Sequence, residues 1–290
     1  MKNLIKVGAM LFGAGLIIFA VGFLGHGFQS INIVNGRPQI TQVEKRSLHP
    51  AKFNKMDVNV SYQDVVVKQG NDYEVNVTTM GDDDITSKVV DGVLQIHQSN
   101  TTSPFTFGIG SLPADKLEIT VPRTAKFSDV TIHSNNGDLT YTSGTVDNLK
   151  LSSRSGNLQV TQTQVTKMTN LTTGAGDIRL VNSELNNAKL QTQSGDIRGE
   201  GGQLAQGTLN SANGNLTLQG MRFKGATTLN TSSGDNRIEN APKDAGYRLT
   251  TDSGDNKLFN RKSTEKQVIV NWDAETRLDL RTSNGDNHVE

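Results

Sequence analysis

A repeat of 19–20 residues constrains this chain more than any other feature of its sequence. The phrase Ser/Asn/Ala-Gly-Asp/Asn occurs eight times from residue 136 onward, at intervals of 19, 20, 19, 19, 20, 20 and 31 residues. Such spacing is the signature of an architecture in which each unit stacks on its neighbours. The repeated glycines are Gly137, Gly156, Gly176, Gly195, Gly214, Gly234, Gly254 and Gly285.

Apolar residues keep a fixed distance from each repeated glycine. Five positions before it stand Ile132, Leu151, Leu171, Leu190, Leu209, Leu229, Leu249 and Leu280. Two positions after it stand Leu139, Leu158, Ile178, Ile197 and Leu216 in the first five copies. Polar residues separate these positions from further apolar ones, and alternation of this kind predicts a strand on each side of a corner.

A coil of 19–20 residues cannot bury its apolar side chains alone, so neighbouring coils must stack through backbone hydrogen bonds. We therefore predict an all-β fold, a β-solenoid or β-helix, with eight coils spanning roughly 35–40 Å at the usual strand spacing. An antiparallel β-sandwich is the alternative, but its turns vary in sequence and recur every ~8–12 residues.

The corner itself has two predicted roles for its residues. Glycine is expected there because a tight corner needs a positive φ, and the following Asp or Asn is expected to bond local backbone amides. A stack of carboxylates could instead bind Ca²⁺, although a structural turn is the favoured interpretation. The candidate carboxylates are Asp138, Asp177, Asp196, Asp235, Asp255 and Asp286, with Asn157 and Asn215 in two further coils.

Three later copies replace the aliphatic residue two positions after the glycine. Asn236, Asn256 and Asn287 stand there instead. Inward asparagines can hydrogen-bond along a stack as an amide ladder, and this is the favoured interpretation. The alternative is that the strand phase slips and these side chains face solvent.

The amino terminus carries a membrane signal. Val7–Gly25 is an uncharged apolar run, Lys2 and Lys6 precede it, and the next Lys or Arg is Arg37. The run predicts a transmembrane helix with a cytoplasmic amino terminus and an extracytoplasmic carboxyl-terminal domain. A cleaved signal peptide is the alternative, but its apolar region is shorter and ends in a small-x-small site.

We expect four regions. They are a cytoplasmic tip and anchor over 1–25, a stalk over 26–50, early coils or a cap over 51–125, and the solenoid over 126–290. A loop is expected over 100–113. The long interval before Gly285 predicts an insertion near 261–273, either an extra strand or a flap over the open end.

Composition narrows the function. The chain has no cysteine and equal numbers of basic and acidic residues, 29 each. It therefore lacks a thiolate metal site, a cysteine nucleophile and the basic excess of a nucleic-acid binder. No nucleophile elbow, P-loop or zincin motif is present, and the five histidines are scattered. We expect no enzymatic activity, no cofactor and no bound metal.

The chain resembles a bacterial family of adhesin-like β-strand-repeat domains of unknown function, which includes LiaG-like envelope proteins. The resemblance rests on four repeat segments and two early ones: Ser155–Leu158, Ser194–Ile197, Ser233–Asn236, Ser253–Asn256, Asp57–Val60 and Asp64–Val67. It covers roughly residues 50–290 and implies adhesion, with no catalytic or binding residues to transfer.

Together these features predict a membrane-anchored module of the bacterial cell envelope that displays a long polar β-face. Its expected partners are the membrane, through the N-terminal helix, and a cell-envelope polymer or a membrane signalling protein. The alternative function is an accessory or sensor component of an envelope-stress system.

Overall fold

The structure, a computed structural model, describes residues 2–24, 31–34, 37–40, 43–80, 85–99, 105–107 and 115–290. Most of the predicted loop over 100–113, the end of the predicted transmembrane span at Gly25, and residues 26–30, 35–36 and 41–42 of the predicted stalk lie outside these ranges.

The chain begins with one α-helix, α1 (Lys2–Leu24). Its large apolar side chains that the structure describes are exposed, including Met10 at 79% and Ile18 at 73%. Among the described residues, no helix combines the length and the apolar character required to cross a membrane. The transmembrane span predicted over 7–25 therefore finds no support in the structure.

The rest of the described secondary structure is β-strand, as the repeat predicts. The early strands are β1 (Ile31–Val34), β2 (Arg37–Ile40), β3 (Val43–Leu48), β4 (Lys55–Val60), β5 (Asp64–Gly70), β6 (Glu74–Met80), β7 (Ile85–Val90), β8 (Val93–Gln98), β9 (Phe105–Phe107) and β10 (Lys116–Pro122). The repeat contains β11 (Lys126–Ser134), β12 (Leu139–Ser153), β13 (Leu158–Thr173), β14 (Ile178–Thr192), β15 (Ile197–Ser211), β16 (Leu216–Gln219), β17 (Arg222–Ser233), β18 (Asn236–Glu239), β19 (Gly246–Ser253), β20 (Asn256–Leu258), β21 (Arg261–Ser263), β22 (Gln267–Val270), β23 (Arg277–Asn284) and β24 (Asn287–Val289).

Successive coils stack in parallel with equivalent residues in register. Leu139 lies beside Leu158, and the same row continues through Ile178, Ile197 and Leu216. Each central coil also bends twice between repeated corners. Left-handed backbone marks these bends, at Gln162, Asn182 and Gly201 for the first and at Asn187, Gln206 and Gly225 for the second. A coil thus has three sides, and the structure confirms a solenoid-like all-β architecture.

The inward phase predicted from the repeat is confirmed. The aliphatic residues five positions before each glycine are 0–1% exposed, and so are those two positions after it. Alternate residues such as Thr172 and Arg179 face outward. The result is one continuous narrow core that runs along the stack.

The segment before the repeat continues the same stack. Strand β4 pairs in parallel with β11, and β5 pairs in parallel with β12, so β4 and β5 form one further coil. Strand β8 then adds to β4, and β10 adds to β5. Beyond them the pairing turns antiparallel, with β7 on β8, β6 on β10 and β3 on β6. Antiparallel strands therefore cover this end.

The last coils do not stack in chain order. Strand β23 lies between β17 and β19, and β24 lies between β18 and β20. The order of the coils in space therefore differs from their order in the chain at this end. The long interval before Gly285 makes the difference possible, because it lets the chain pass the end of the stack and return. Within it, β21 and β22 pair antiparallel with β20 and β19 and cap the stack, as an extra-strand insertion would.

Two long sheet faces follow from this pairing. The face that precedes the corners runs through twelve strands, in the order β7, β8, β4, β11, β12, β13, β14, β15, β17, β23, β19 and β22. The face that follows the corners runs from β3 and β6 through the post-corner strands to β21. At ~4.8 Å per strand, the twelve-strand face is about 50 Å long.

Candidate functional site

The corner carboxylates form a continuous hydrogen-bonded ladder. In each coil, the side-chain oxygen Oδ1 of the corner Asp or Asn accepts a bond from the backbone N–H of the corner Asp or Asn in the next coil. The eight donor–acceptor distances lie between 2.7 and 2.9 Å. In spatial order the ladder is Asp64, Asp138, Asn157, Asp177, Asp196, Asn215, Asp235, Asp286 and Asp255.

This geometry corrects the expected role of the corner residues. The side chains bond the neighbouring coil and not their own local backbone, so each one ties two coils together. Asp64 is an additional member that the repeat pattern missed, because Gln63 precedes it where the other coils have glycine. Its signal in the sequence is only the alternation of Val65 and Val67 after it.

The same geometry bears on the calcium hypothesis. One oxygen of each corner carboxylate from Asp64 to Asp286 already accepts a backbone N–H, and some second oxygens pair with cations. Lys262 lies 2.5 Å from Asp255, and Arg198 pairs with both Asp177 and Asp196. In the described ranges, no group of three or more His, Asp or Glu side chains is placed to hold a metal ion. The hydrogen bonds between coils thus give the ladder a structural role.

The repeated glycines are required by close approach of neighbouring coils. A Cβ at Gly195 would lie 2.1 Å from the carbonyl oxygen of Gly176, and one at Gly156 would lie 2.0 Å from that of Gly137. The expected reason, a positive φ, is therefore wrong for the first five copies, whose φ is not positive. Only hydrogen fits where the coils touch.

A second ladder, made of buried hydroxyl groups, was missed by the sequence analysis. Three positions before each repeated glycine stands Ser or Thr in all eight copies. Seven of these hydroxyls donate to the carbonyl of a neighbouring coil's glycine at 2.8–3.1 Å. The residues are Ser134, Ser153, Thr173, Thr192, Ser211, Thr231, Thr251 and Thr282. Alignment of the copies contains this signal.

The inward asparagine ladder is confirmed, with a changed order. Asn236 donates to Asn287 at 2.8 Å, and Asn287 donates to Asn256 at 2.9 Å. All three side chains are fully buried. Each amide also donates to a backbone carbonyl, for example Asn287 to Thr250 at 2.9 Å. Burial is tolerated because most of the polar atoms are satisfied within the ladder.

The post-corner face carries a charged surface whose ions pair with each other. Arg179 bonds Glu200 at 2.9 Å, and Arg237 contacts both Glu239 and Glu290. Further along, Lys68 lies 2.6 Å from Glu118. Hydrogen bonding from Lys68 lowers the pKa of Glu118 despite partial burial. We call these side chains the charged face, and its charges largely neutralise one another.

The pre-corner face is different in the six coils from β11 to β17. Six and four residues before each repeated glycine, the outward side chains are hydroxyls, amides, one imidazole and two lysines, without any carboxylate. Asp129, earlier in β11, bonds Asn148 and Lys55 beside these two rows. We call them the polar face: Thr131, His133, Lys150, Ser152, Asn170, Thr172, Lys189, Gln191, Thr208, Asn210, Thr228 and Asn230. Neighbouring members bond across coils, as Asn230 does to Asn210 at 2.9 Å and His133 to Ser152 at 2.9 Å.

A known protein family matches most of this chain. The family model described as Toastrack DUF4097 matches residues 53–290, which is most of the chain. The chain belongs to the Toastrack DUF4097 family. This confirms the resemblance to an adhesin-like β-repeat family of unknown function. Among curated proteins, none matches the chain.

Several solved structures resemble the Toastrack chain at low identity. A putative adhesin from Bacteroides fragilis NCTC 9343 is 11% identical, with 86% of this chain and 97% of that chain covered and a TM-score of 0.42. A putative adhesin from Parabacteroides distasonis ATCC 8503 is 12% identical, with 85% and 97% covered and a TM-score of 0.41. A putative lipid binding protein from the same organism is 13% identical, with 86% and 97% covered and a TM-score of 0.37.

A charged cluster distinguishes the carboxyl-terminal coils of the Toastrack domain. Asp279 is buried and pairs with Arg248 on the neighbouring strand and with Arg281 on its own. Burial raises the pKa of the Asp279 carboxyl, but the hydrogen bonds and charges of both arginines outweigh it and bring the pKa below its ordinary value. The guanidinium of Arg248 also lies 4.4 Å from the ring centre of Trp272. This cluster holds β23 against β19 and against the capping insertion.

A shallow groove runs beside the polar face along the second bend of the Toastrack coils. Its volume is about 420 Å³, and Lys189, Thr208 and Thr228 of the polar face contribute to it. The other lining residues are Asn187, Ala188, Gln206, Gly207 and Ala226. The groove extends the area in which an elongated ligand could contact hydroxyl, amide and ammonium groups.

Proposed function

We propose that this protein is a non-enzymatic adhesion or envelope-interaction module that binds a polymer of the bacterial cell envelope along its polar face. The observation that carries the proposal is the contrast between the two sheet faces. The charged face satisfies its own ions, whereas the polar face presents donors and acceptors in parallel rows without a carboxylate.

The repeat suits an elongated ligand in particular. Equivalent outward residues recur once per coil, at the ~4.8 Å spacing of strands, so the six coils of the polar face span about 24 Å. A polymer can therefore make the same weak contact many times, and linked weak contacts add to a strong total affinity. Lys150 and Lys189 add positive charge to this face, which favours an anionic or hydroxyl-rich polymer over a basic one.

We also propose, from the sequence, that the N-terminal segment holds the chain at the cell membrane with the Toastrack domain outside the cytoplasm. Lys2 and Lys6 before the apolar run support this orientation. Cell fractionation followed by N-terminal sequencing of the membrane-bound form tests it. A mature chain that starts near Gly25 or His26 would contradict the anchor.

Co-sedimentation of the full chain, kept in detergent, with purified cell-wall material tests the binding proposal. The variant Thr172→Glu with Asn210→Glu places two carboxylates on the polar face. The matched control, Thr140→Glu with Thr217→Glu, places them at equivalent outward positions after the corner. We expect at least a tenfold loss of binding for the first pair and little change for the control, with both variants unfolding at similar temperatures.

Two results would overturn the proposal. Failure of the wild-type chain to co-sediment would refute envelope-polymer binding, and equal binding by the two double variants would show that the polar face is not the site. The alternative of an accessory or sensor component remains a prediction from the sequence.

A further inference from the structure

Three carboxyl-terminal coils share one motif, and they are stacked out of order. Residues 231–238, 251–258 and 282–289 each read Thr-x-x-Gly-Asp-Asn-x-aliphatic. In space the third segment lies between the first and the second. Strands β23 and β24 therefore fill a groove. One wall of this groove is formed by β17 and β18, and the other by β19 and β20.

The groove binds its strand through contacts of the motif and of the leucine two residues before it. Asn287 bonds Asn236 on one side and Asn256 on the other. The hydroxyl of Thr282 donates to the carbonyl of Gly234 at 2.9 Å. Leu280, buried, lies in register between Leu229 and Leu249. Backbone pairing is parallel on both edges, so the inserted strand has no exposed edge within the stack.

A small set of contacts outside the motif selects which segment enters. Asp279 pairs with Arg248 across the β23–β19 boundary, and neither of the other two segments has an acid at the equivalent place, where Thr228 and Arg248 stand. The Arg248–Asp279 pair therefore favours the segment 277–290 over the other two segments as the strand in the groove. It does not distinguish the segment of the same chain from that of another copy, because both carry the same residues.

We propose that the groove between β17 and β19 is an interaction site for a second copy of this chain, which inserts its residues 277–290 in place of the resident strand. The product is a strand-exchanged dimer in which the contacts that β23 and β24 make within the monomer are made between chains. Exchange of an identical element is a low-cost route to dimers, since only the connection must change its path. The connection here is the segment 259–276, which crosses the capped end. This inference goes beyond the proposed binding of an envelope polymer.

Intermolecular disulfide formation tests the exchange, because the chain has no cysteine of its own. Full chains bearing Asn230→Cys, with one affinity tag, are mixed in detergent with full chains bearing Arg281→Cys and a second tag. The mixture is warmed to just below the unfolding midpoint, cooled and oxidised. Positions 230 and 281 are register partners on adjacent strands, so an exchanged dimer brings the two thiols within disulfide reach.

The expected result is a disulfide-linked species that carries both tags. A mixture of Asn230→Cys with Thr250→Cys is the matched control, because these positions lie two strands apart and should cross-link at least tenfold less. Absence of the two-tag species, or equal yields in both mixtures, would overturn the proposal.

A second measurement separates exchange from association through α1. In the variant with both Asn230→Cys and Arg281→Cys, oxidation at high dilution locks the strand within its own chain. Light scattering after size-exclusion chromatography should then show dimers for the warmed wild type and none for the locked variant. Dimers that persist in the locked variant would contradict strand exchange as their origin.

Discussion

The central coils, from Leu139 to Asp235, and the carboxyl-terminal coils, from Asn236 to Glu290, use the same corner yet differ in how they choose their neighbours. Central coils stack in chain order through aliphatic rows such as Leu158 and Ile178. The carboxyl-terminal coils stack out of order around an asparagine row. The corner ladders run unbroken through both regions.

The difference teaches that a repeat specifies the cross-section of a coil but not the identity of its neighbour. In the central coils, each coil is followed directly by the next across a short corner. Each coil must therefore stack on the one before it in the chain. After Leu258 a longer connection removes that constraint. The order is then set by residues outside the repeat, above all the contact of Arg248 with Asp279 and with Trp272.

The largest expected effect concerns the shared corner. Gly195→Ala places a Cβ 2.1 Å from a backbone carbonyl oxygen that cannot move without separating two coils. We expect a loss of at least about 3 kcal/mol in the free energy of unfolding. Gly207→Ala is the control, since its Cβ would make ordinary contacts at 3.5 Å, and it should change stability by less than about 1 kcal/mol. Equal losses in urea titrations would contradict the close-approach explanation.

The asparagine ladder should respond differently to one substitution and to three. Asn287→Leu alone restores the residue type of the central coils but leaves one buried N–H of Asn236 and the buried Oδ1 of Asn256 without their ladder partner. Each unsatisfied group costs about 1–3 kcal/mol, so we expect a total loss of about 2–5 kcal/mol. Changing Asn236, Asn256 and Asn287 to Leu together removes those orphaned amides and should recover most of the loss. Additive losses, measured by thermal unfolding, would show that the three side chains do not act as a ladder.

The residue that sets the order should make stability depend on pH. The pKa of Asp279 is lower in the folded chain than its ordinary value, so its ionised form favours folding. This contribution is complete above the unfolded pKa of about 3.9 and is lost as the pH falls through the lower folded value. Asp279→Asn should cost about 1–3 kcal/mol at pH 7, and the gap to wild type should narrow below about pH 4. A gap that is constant from pH 7 to pH 3 would contradict the role of the carboxylate.

The smallest expected effect concerns the corner carboxylates. Asp196→Asn keeps the Oδ1 acceptor, as Asn157 and Asn215 already do, so stability should change by no more than about 0.5 kcal/mol. Neither excess EDTA nor millimolar Ca²⁺ should move the unfolding midpoint of the wild type. A rise of about 5 °C or more with Ca²⁺, abolished by Asp196→Asn with Asp235→Asn, would establish a calcium site instead.

The structure of a single coil could be predicted from the sequence, but the contacts between stacked coils could not. The inward phase of Leu171 and Leu209 follows from alternation, and the inward asparagines follow from the same phase. The sequence did not reveal why glycine is required at the corners. The reason is that each corner glycine lies close to the carbonyl oxygen of the neighbouring coil's corner, and this contact is not visible within one coil. Asp64 was missed because Gln63 breaks the motif, although it occupies the same place in the ladder.

The position of β23 could not be read from the repeat for a physical reason. Residues 251–258 and 282–289 offer the same hydroxyl, carboxylate and amide to a neighbour, so both orders satisfy the ladders equally. The deciding contact joins Arg248 and Asp279, which are far apart in sequence and outside the motif. The different chemistry of the two exposed faces could not be predicted either, because the positions of the bends decide which side of the coil each outward residue lies on.

Disulfide cross-linking of the carboxyl-terminal coils tests most directly whether β23 lies between β17 and β19. Three double-cysteine variants of the full chain are oxidised at high dilution: Asn230→Cys with Arg281→Cys, Arg281→Cys with Thr250→Cys, and Asn230→Cys with Thr250→Cys. Gln191→Cys with Asn210→Cys, on adjacent central strands, serves as the positive control. Adjacent parallel strands place Cα atoms within the ~4.4–6.8 Å range of a disulfide, whereas positions two strands apart do not. We predict intramolecular disulfides in the first two variants and the control and none in the third. A disulfide between positions 230 and 250, without one between 230 and 281, would show that the coils stack in chain order and would contradict the account.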